Sequence, residues 1–234
     1  MSRKRPADRF DRLVATATRV FIESGGFART QIDDVARALG VAKGTVYLYV
    51  ESKEALFDLA LRHADQSAPL AEPSDLPVKT PVPGATRELV QARIREHGRF
   101  PTLTAALKVE TPADVAQEVH AVLTEIYDTL YEGRVRIKLI ATAARDVPDL
   151  AEAWFTQGRR RLNRRLARWI ELRVKSGAFA PQPDATAAAR MVSETLTWFA
   201  VHRHFEAAPE ALDDAAARQT ALLGVTRMLL GAGA

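Results

Sequence analysis

The stretch from Thr30 to Phe57 constrains this chain more than any other. Apolar residues recur at Ile32, Val35, Ala36 and Leu39, one face of a helix of about two turns. Gly40 interrupts that helix where a left-handed backbone is accessible. Thr30 and Asp33 form an S/T-x-x-D start signal ahead of it. A second short helical pattern runs from Lys43 to Tyr49, and Ser52 stands where a further helix needs a cap. Val35 and Leu39, Val41 from the turn, and Val46 with Val50 share one small core, because positions four apart lie on the same helix face. The opposite face then carries Lys43, Thr45, Tyr47, Leu48 and Tyr49.

Two short helices about a tight glycine turn have the layout of a helix-turn-helix. Two tyrosines, a threonine and a lysine are poor choices for a bland helix exterior. They suit a surface that meets phosphates and base edges. Gly44 lets the backbone of the second helix approach such a partner closely. From Thr30 through Phe57 the residues resemble the TetR family of one-component regulators. They carry a threonine, Asp-Val-Ala, Gly-Val-Ala-Lys-Gly-Thr-Val-Tyr and Ser-Lys-Glu in the family's order and spacing. The resemblance covers about residues 9 to 66. It implies that Thr30 touches a phosphate and that Lys43, Gly44 and Thr45 open a recognition helix facing the major groove. Tyr47 would meet phosphate or a thymine methyl, and Leu48 would help choose the base. Tyr49 would pack on the DNA backbone, and Lys53 would pair with a phosphate. Two residues depart from the family pattern. Ala42 replaces the usual serine and removes a helix cap, and Val50 replaces a phenylalanine.

Outside this segment the 234 residues read as all-α, with strand-like alternation and hairpin turns nearly absent. We expect a DNA-binding domain over 1–66, a proline-rich linker or ordered insertion over 67–84, and a helical effector-binding and dimerisation domain over 85–234. The expected later helices are 85–97, 102–109, 112–131, 133–146, 150–176, 184–206 and 213–230, with Thr111-Pro112 as a start signal. With no cysteine, disulfides, thiolate nucleophiles and cysteine-containing zinc sites are excluded. The net charge of +4 is too small to argue for nucleic acid by itself, so local placement decides. No apolar run approaches a membrane span, and Met-Ser-Arg-Lys-Arg-Pro is not a secretory start, so a cytoplasmic protein is expected. Arg3, Lys4 and Arg5 form either a basic arm for DNA or a solvated tail.

The region from 85 onward carries no catalytic signature, so no enzyme and no cofactor are expected. His202 and His204, two apart on one helix, point away from each other and do not chelate a metal. The arginine run from Arg159 to Arg168 reads as a solvated face behind the Leu162, Leu166, Trp169 and Ile170 stripe. Family resemblance implies a cavity for a small, often apolar effector of unspecified identity. Phe100, Tyr127, Tyr131, Trp154, Phe155, Trp198 and His202 are its candidate lining. It also implies a homodimer through the last two helices, with Leu196, Phe199, Leu222, Val225 and Leu229 in the interface. The chain therefore reads as a ligand-responsive repressor on a near-palindromic operator. The rivals are a small-molecule-binding helical protein with a vestigial head and a helical interaction module.

Overall fold

A computed structural model describes residues 9–66 and 68–231, so the Arg3-Lys4-Arg5 arm lies outside the described residues. All its regular elements are helical; among the described residues the only extended pairing is one parallel bridge between Val50 and Val78. The chain divides into two compact units, one of residues 1–92 with 135–154, the other of 93–134 with 155–234.

The first unit opens with α1 (Arg9–Glu23), α2 (Ile32–Leu39), α3 (Lys43–Val46) and α4 (Lys53–His63). The apolar stripe of α1 buries Phe10, Leu13, Val14, Ala17 and Phe21 against Ile32 and Val35 of α2 and Leu56 and Phe57 of α4. Phe21, Phe27 and Phe57 form an aromatic triad with centroids 5.1–6.2 Å apart. Gly26 ends the α1 turn at φ +136°, and a Cβ there would lie 2.5 Å from Asp146 Oδ2, so only glycine fits. The same carboxylate accepts the Ala28 N–H at 3.3 Å. Asp146 follows α8 (Arg134–Ala143), and Arg136 pairs with Asp65 at 2.6 Å.

The start of α2 is displaced by one residue from the sequence expectation. Gln31 is the cap position; its N–H donates to Asp34 Oδ2 at 2.9 Å, and Asp34 N–H returns to Gln31 O at 3.0 Å. Thr30 does not serve, because its hydroxyl donates backward to Gly26 O at 2.9 Å. Ser52 does cap α4, accepting from Ala55 N–H at 3.1 Å. The proline-rich segment is held to this unit. Leu70 N–H donates to Asp11 at 3.1 Å, and Val78 exchanges backbone bonds with Tyr49 and Glu51. α5 (Ala85–His97) follows.

The second unit contains α6 (Pro101–Ala106), α7 (Val115–Glu132), α10 (Arg161–Lys175), α11 (Ala185–Ala200) and α12 (Asp214–Leu230). Ahead of α10, the chain passes from α9 (Pro148–Ala151) through a π-helical stretch over Glu152–Arg160. The cap of α7 is Asp114, which accepts Gln117 N–H at 2.9 Å, not Thr111. α11 ends at Ala200, and His202–Phe205 form a 3-10 turn, so the expected helix to 206 is cut short. Three arginines of this unit act as internal clamps. Arg173 is fully buried, gripping Glu118 at 2.6 and 2.7 Å and the carbonyls of Ala106, Val109 and Glu110. Arg165 donates to the carbonyls of Gly98, Arg99 and Phe100, bracing Phe100 in a left-handed conformation at φ 44°. Arg203 donates to Phe199 O at 2.8 Å and Leu212 O at 3.1 Å and pairs with Asp214. The arginine run is therefore only partly a solvated face: Arg165 is drawn inward, and Arg159 pairs with Glu194.

Candidate nucleic-acid interface

α2 closes on Gly40 in the left-handed region, φ 73° and ψ 34°, with its N–H bonded back to Arg37 O at 3.1 Å. Val41 N–H then reaches Ala36 O at 3.0 Å, completing a tight turn into α3. α3 is a single turn, with an uncapped start at Ala42, as the missing serine leads one to expect. After Val46 the backbone tightens into turns, Tyr49 N–H to Val46 O at 2.9 Å and Val50 N–H to the same oxygen at 3.2 Å. The expected helix to Tyr49 is thus shorter, because Val50 leaves it to pair with Val78.

Val46 and Val50 are buried, anchoring this element from behind. Lys43 and Gly44 are exposed and Thr45 is half-buried. Tyr47 and Leu48 are 42% and 52% exposed, unusual for an aromatic and a leucine side by side. A Cβ at Gly44 would meet nothing within 4 Å. Neither packing nor backbone conformation inside the chain asks for glycine there, although alanine would favour the helix by about 1 kcal/mol.

Three expected contact residues are placed differently. Tyr49 is 2% exposed, packed 6.3 Å from the Phe10 ring, and belongs to the core. It lies three residues after the buried Val46 and so shares that residue's inward face. Thr30 is fully buried, with its hydroxyl spent on Gly26 O. Lys53 donates to Phe27 O at 3.0 Å and Thr30 O at 3.1 Å, with its ammonium 4.2 Å from the Phe27 ring centre. It ties α4 to the loop before α2, with two of its three ammonium hydrogens spent on carbonyls.

The expected effector residues differ in exposure. Phe100 and Tyr127 are core, while Phe155 and Trp198 are exposed. Trp154 falls in the first unit. Tyr127 and Tyr131 stack at 6.3 Å, and Tyr131 meets His204, not His202, edge-on at 5.7 Å. Tyr131 donates to Asp214 at 2.6 Å, which holds that carboxyl below its ordinary range; its pairing with Arg203 adds to the effect. Burial, and then the charge of Arg203, pushes the His204 imidazole below its usual value.

The expected dimer residues are also displaced. Leu196, Leu222, Val225 and Leu229 are buried within the chain itself, and Phe199 is half-buried. The family resemblance assigned these residues to a partner, but the chain itself packs α11 against α12 and α7. The exposed apolar residues on these helices are Met191, Trp198 and Leu223.

A compact helical head with a glycine turn, whose next short helix turns tyrosine, leucine and lysine to solvent, defines a helix-turn-helix transcription regulator. Residues 13–60 match the family described as bacterial regulatory proteins, tetR family, and residues 132–232 match the AefR-like transcriptional repressor C-terminal domain. The chain belongs to the TetR family of DNA-binding transcriptional regulators. Among solved structures it is similar to the ketosteroid transcriptional regulator KstR2 of Mycobacterium tuberculosis, at 16% identity, 97% coverage of each chain and a TM-score of 0.55. It is also similar to a tetR-family regulatory protein from Rhodococcus RHA1, at 17% identity, covering 97% of this chain and 100% of that one, TM-score 0.53. A TetR-family member from Streptomyces coelicolor A3 has 17% identity, coverage of 94% and 89%, and a TM-score of 0.51. These likenesses show the fold. No protein of curated function matches in sequence.

Proposed function

We propose that this regulator acts as a homodimeric, ligand-responsive repressor on a near-palindromic operator, reading the major groove with Lys43, Gly44, Thr45, Tyr47 and Leu48. The observation that carries the reading is the outward face of α3 and its following turn. It joins a lysine, a glycine with open space above it, and an exposed Tyr47-Leu48 pair to a buried Val46-Val50 anchor. Two such faces in a two-fold dimer sit about one DNA turn apart, roughly 34–36 Å.

The dimer contact is better supported on the outer faces of α11 and α12 than on their buried stripes. Met191 and Trp198 are seven apart and share a face of α11. On α12, Leu223 is exposed beside Gly224, a mid-helix glycine whose added Cβ would meet nothing within 4 Å. A glycine there lowers helix propensity without an internal reason, and close approach of a partner helix supplies one. The effector is a small molecule held by the second unit. It would release DNA by binding better to a conformation whose heads are wrongly spaced. The chain works in the cytoplasm and is not an enzyme. No helix among the described residues is long and apolar enough to cross a membrane.

The experiment is a mobility shift with DNA upstream of the protein's own gene, using wild type and Lys43→Gln/Tyr47→Ala. Specific retardation by the wild type, lost in the variant, is the expected result. Cellular regulation that survives both substitutions favours the vestigial-head alternative.

A further inference from the structure

The proline-rich segment is expected from its sequence to be a passive linker or an insertion packed on the second domain. In the structure it touches the most functional part of the head. Val78 N–H donates to Tyr49 O at 2.8 Å, and Glu51 N–H donates to Val78 O at 3.0 Å. These bonds make the parallel bridge between Val50 and Val78. Alternation along an extended strand then puts the half-buried Val78 inward and Lys79 outward. Lys79 Nζ lies 2.6 Å from Glu51 Oε1, and its side chain is 80% exposed. Thr80 N–H donates to the other Glu51 oxygen at 3.0 Å, and its hydroxyl donates to Ser52 Oγ at 2.8 Å. Residues 76–81 are therefore a strap clamped onto the chain where it leaves the recognition turn.

Resting on the reading of α3 as the DNA-reading element, we propose that this strap is a further part of the DNA-binding surface and that Lys79 contacts an operator phosphate. Glu51 lies three residues beyond Leu48, at most about 10 Å of extended chain. The major groove is about 12 Å wide and is flanked by phosphates on both sides. The Lys79 ammonium, held 2.6 Å from the Glu51 carboxylate, then stands beside the groove's edge when Leu48 is seated in the groove. Glu51 takes one of the three ammonium hydrogens and fixes its direction, leaving two for phosphate oxygens. Lys43, on the same exposed surface, would serve the opening of α3, and Lys79 its exit.

The test uses the full-length protein and its selected operator, with affinity measured from 50 to 200 mM salt. One neutralised phosphate contributes about 0.9 to the slope of log affinity against log salt. Lys79→Gln is expected to lower the slope by that amount, so that affinity changes about 3.5-fold less across this range. Lys79→Arg is expected to keep the slope, and so is Glu51→Gln, which frees the ammonium without removing it. Lys43→Gln, with a like reduction, is the positive control. An unchanged slope for Lys79→Gln overturns the proposal. So does a loss of affinity at unchanged slope that Glu51→Gln reproduces, since the strap then only braces the turn. If Lys43→Gln lowers the slope and Lys79→Gln does not, the strap contact fails while DNA reading stands. If the wild type selects no DNA at all, the underlying reading falls with it.

Discussion

The head and the C-terminal helices expose apolar side chains for different reasons. In the head, the aromatics Phe10, Phe21, Tyr49 and Phe57 are buried, and the exposed pair Tyr47-Leu48 sits on one short turn beside Lys43 and Gly44. In the second unit, Phe155, Met191, Trp198 and Leu223 are spread over long helices, while buried arginines hold carbonyls and carboxylates inside. A small exposed cluster ringed by polar groups suits a rigid partner of fixed geometry such as DNA. Apolar residues scattered along helix faces suit another helix. The comparison teaches that what a segment presents is decided by how little of it the fold itself consumes.

The strongest way to break this contrast is to attack the buried clamp of the second unit. Arg173→Met takes the guanidinium away from Glu118 and three carbonyls, a loss of about 3–5 kcal/mol for a broken buried pair. Urea denaturation followed by tryptophan fluorescence should show it, since Trp169 donates to the same Glu118 at 2.9 Å. A loss below about 1 kcal/mol would mean that the clamp is not a stabilising centre. Next in size, Tyr47→Ala should weaken operator binding by roughly 10- to 100-fold, the worth of a hydrogen bond to a charged phosphate. Tyr49→Phe should leave operator affinity within about twofold, because that ring faces Phe10 and not solvent. Titration by fluorescence anisotropy distinguishes them; equal effects would erase the division between outward and inward tyrosines.

Gly44→Ala sharpens the same division with a smaller change. Thermal melting should show stability unchanged or raised by at most about 1 kcal/mol, while operator affinity falls. Retained affinity would show that no partner backbone approaches there. The smallest effect belongs to His204. Its imidazole is pushed below the usual value by burial and by Arg203, with Arg134 also opposing its charge and Asp214 favouring it. As pH falls through about 6.5 the unfolded chain binds a proton before the folded chain does, so stability drops with acidification. The depressed carboxyl of Asp214 acts only at pH values below its ordinary range, so pH 5.5–7.5 leaves it out of the comparison. His204→Gln should flatten the melting temperature across that interval, and an identical slope would remove His204 from the account.

The head was largely legible in the sequence because its signals are local. Gly40, Ser52 and the Val46-Val50 spacing each act within a few residues, and each does in the structure what its chemistry dictates. Tyr49 was misread because it was set opposite Val46, although residues three apart share a helix face; the early end of the helix was missed because the chain turns after Val46 to meet Val78. That pairing is non-local and leaves no periodicity in either segment. The strap itself offered one faint sign, the strand-favouring Val78 and Thr80 among prolines. In the second unit the family resemblance named apolar residues of the last two helices but not what covers them in this chain. Leu196 and Leu229 were therefore assigned to a partner when the chain's own helices cover them. Lys53 and Arg173 carry the same lesson for charge: a long cationic side chain is drawn inward wherever unpaired carbonyls gather.

The most direct test of the central claim is selection of bound duplexes from a random pool, with wild-type protein and with Leu48→Arg. The account predicts an inverted repeat with half-sites one helical turn apart, and a changed base within each half-site for the variant. Enrichment of nothing by folded wild-type protein, or an identical site for both proteins, would contradict it.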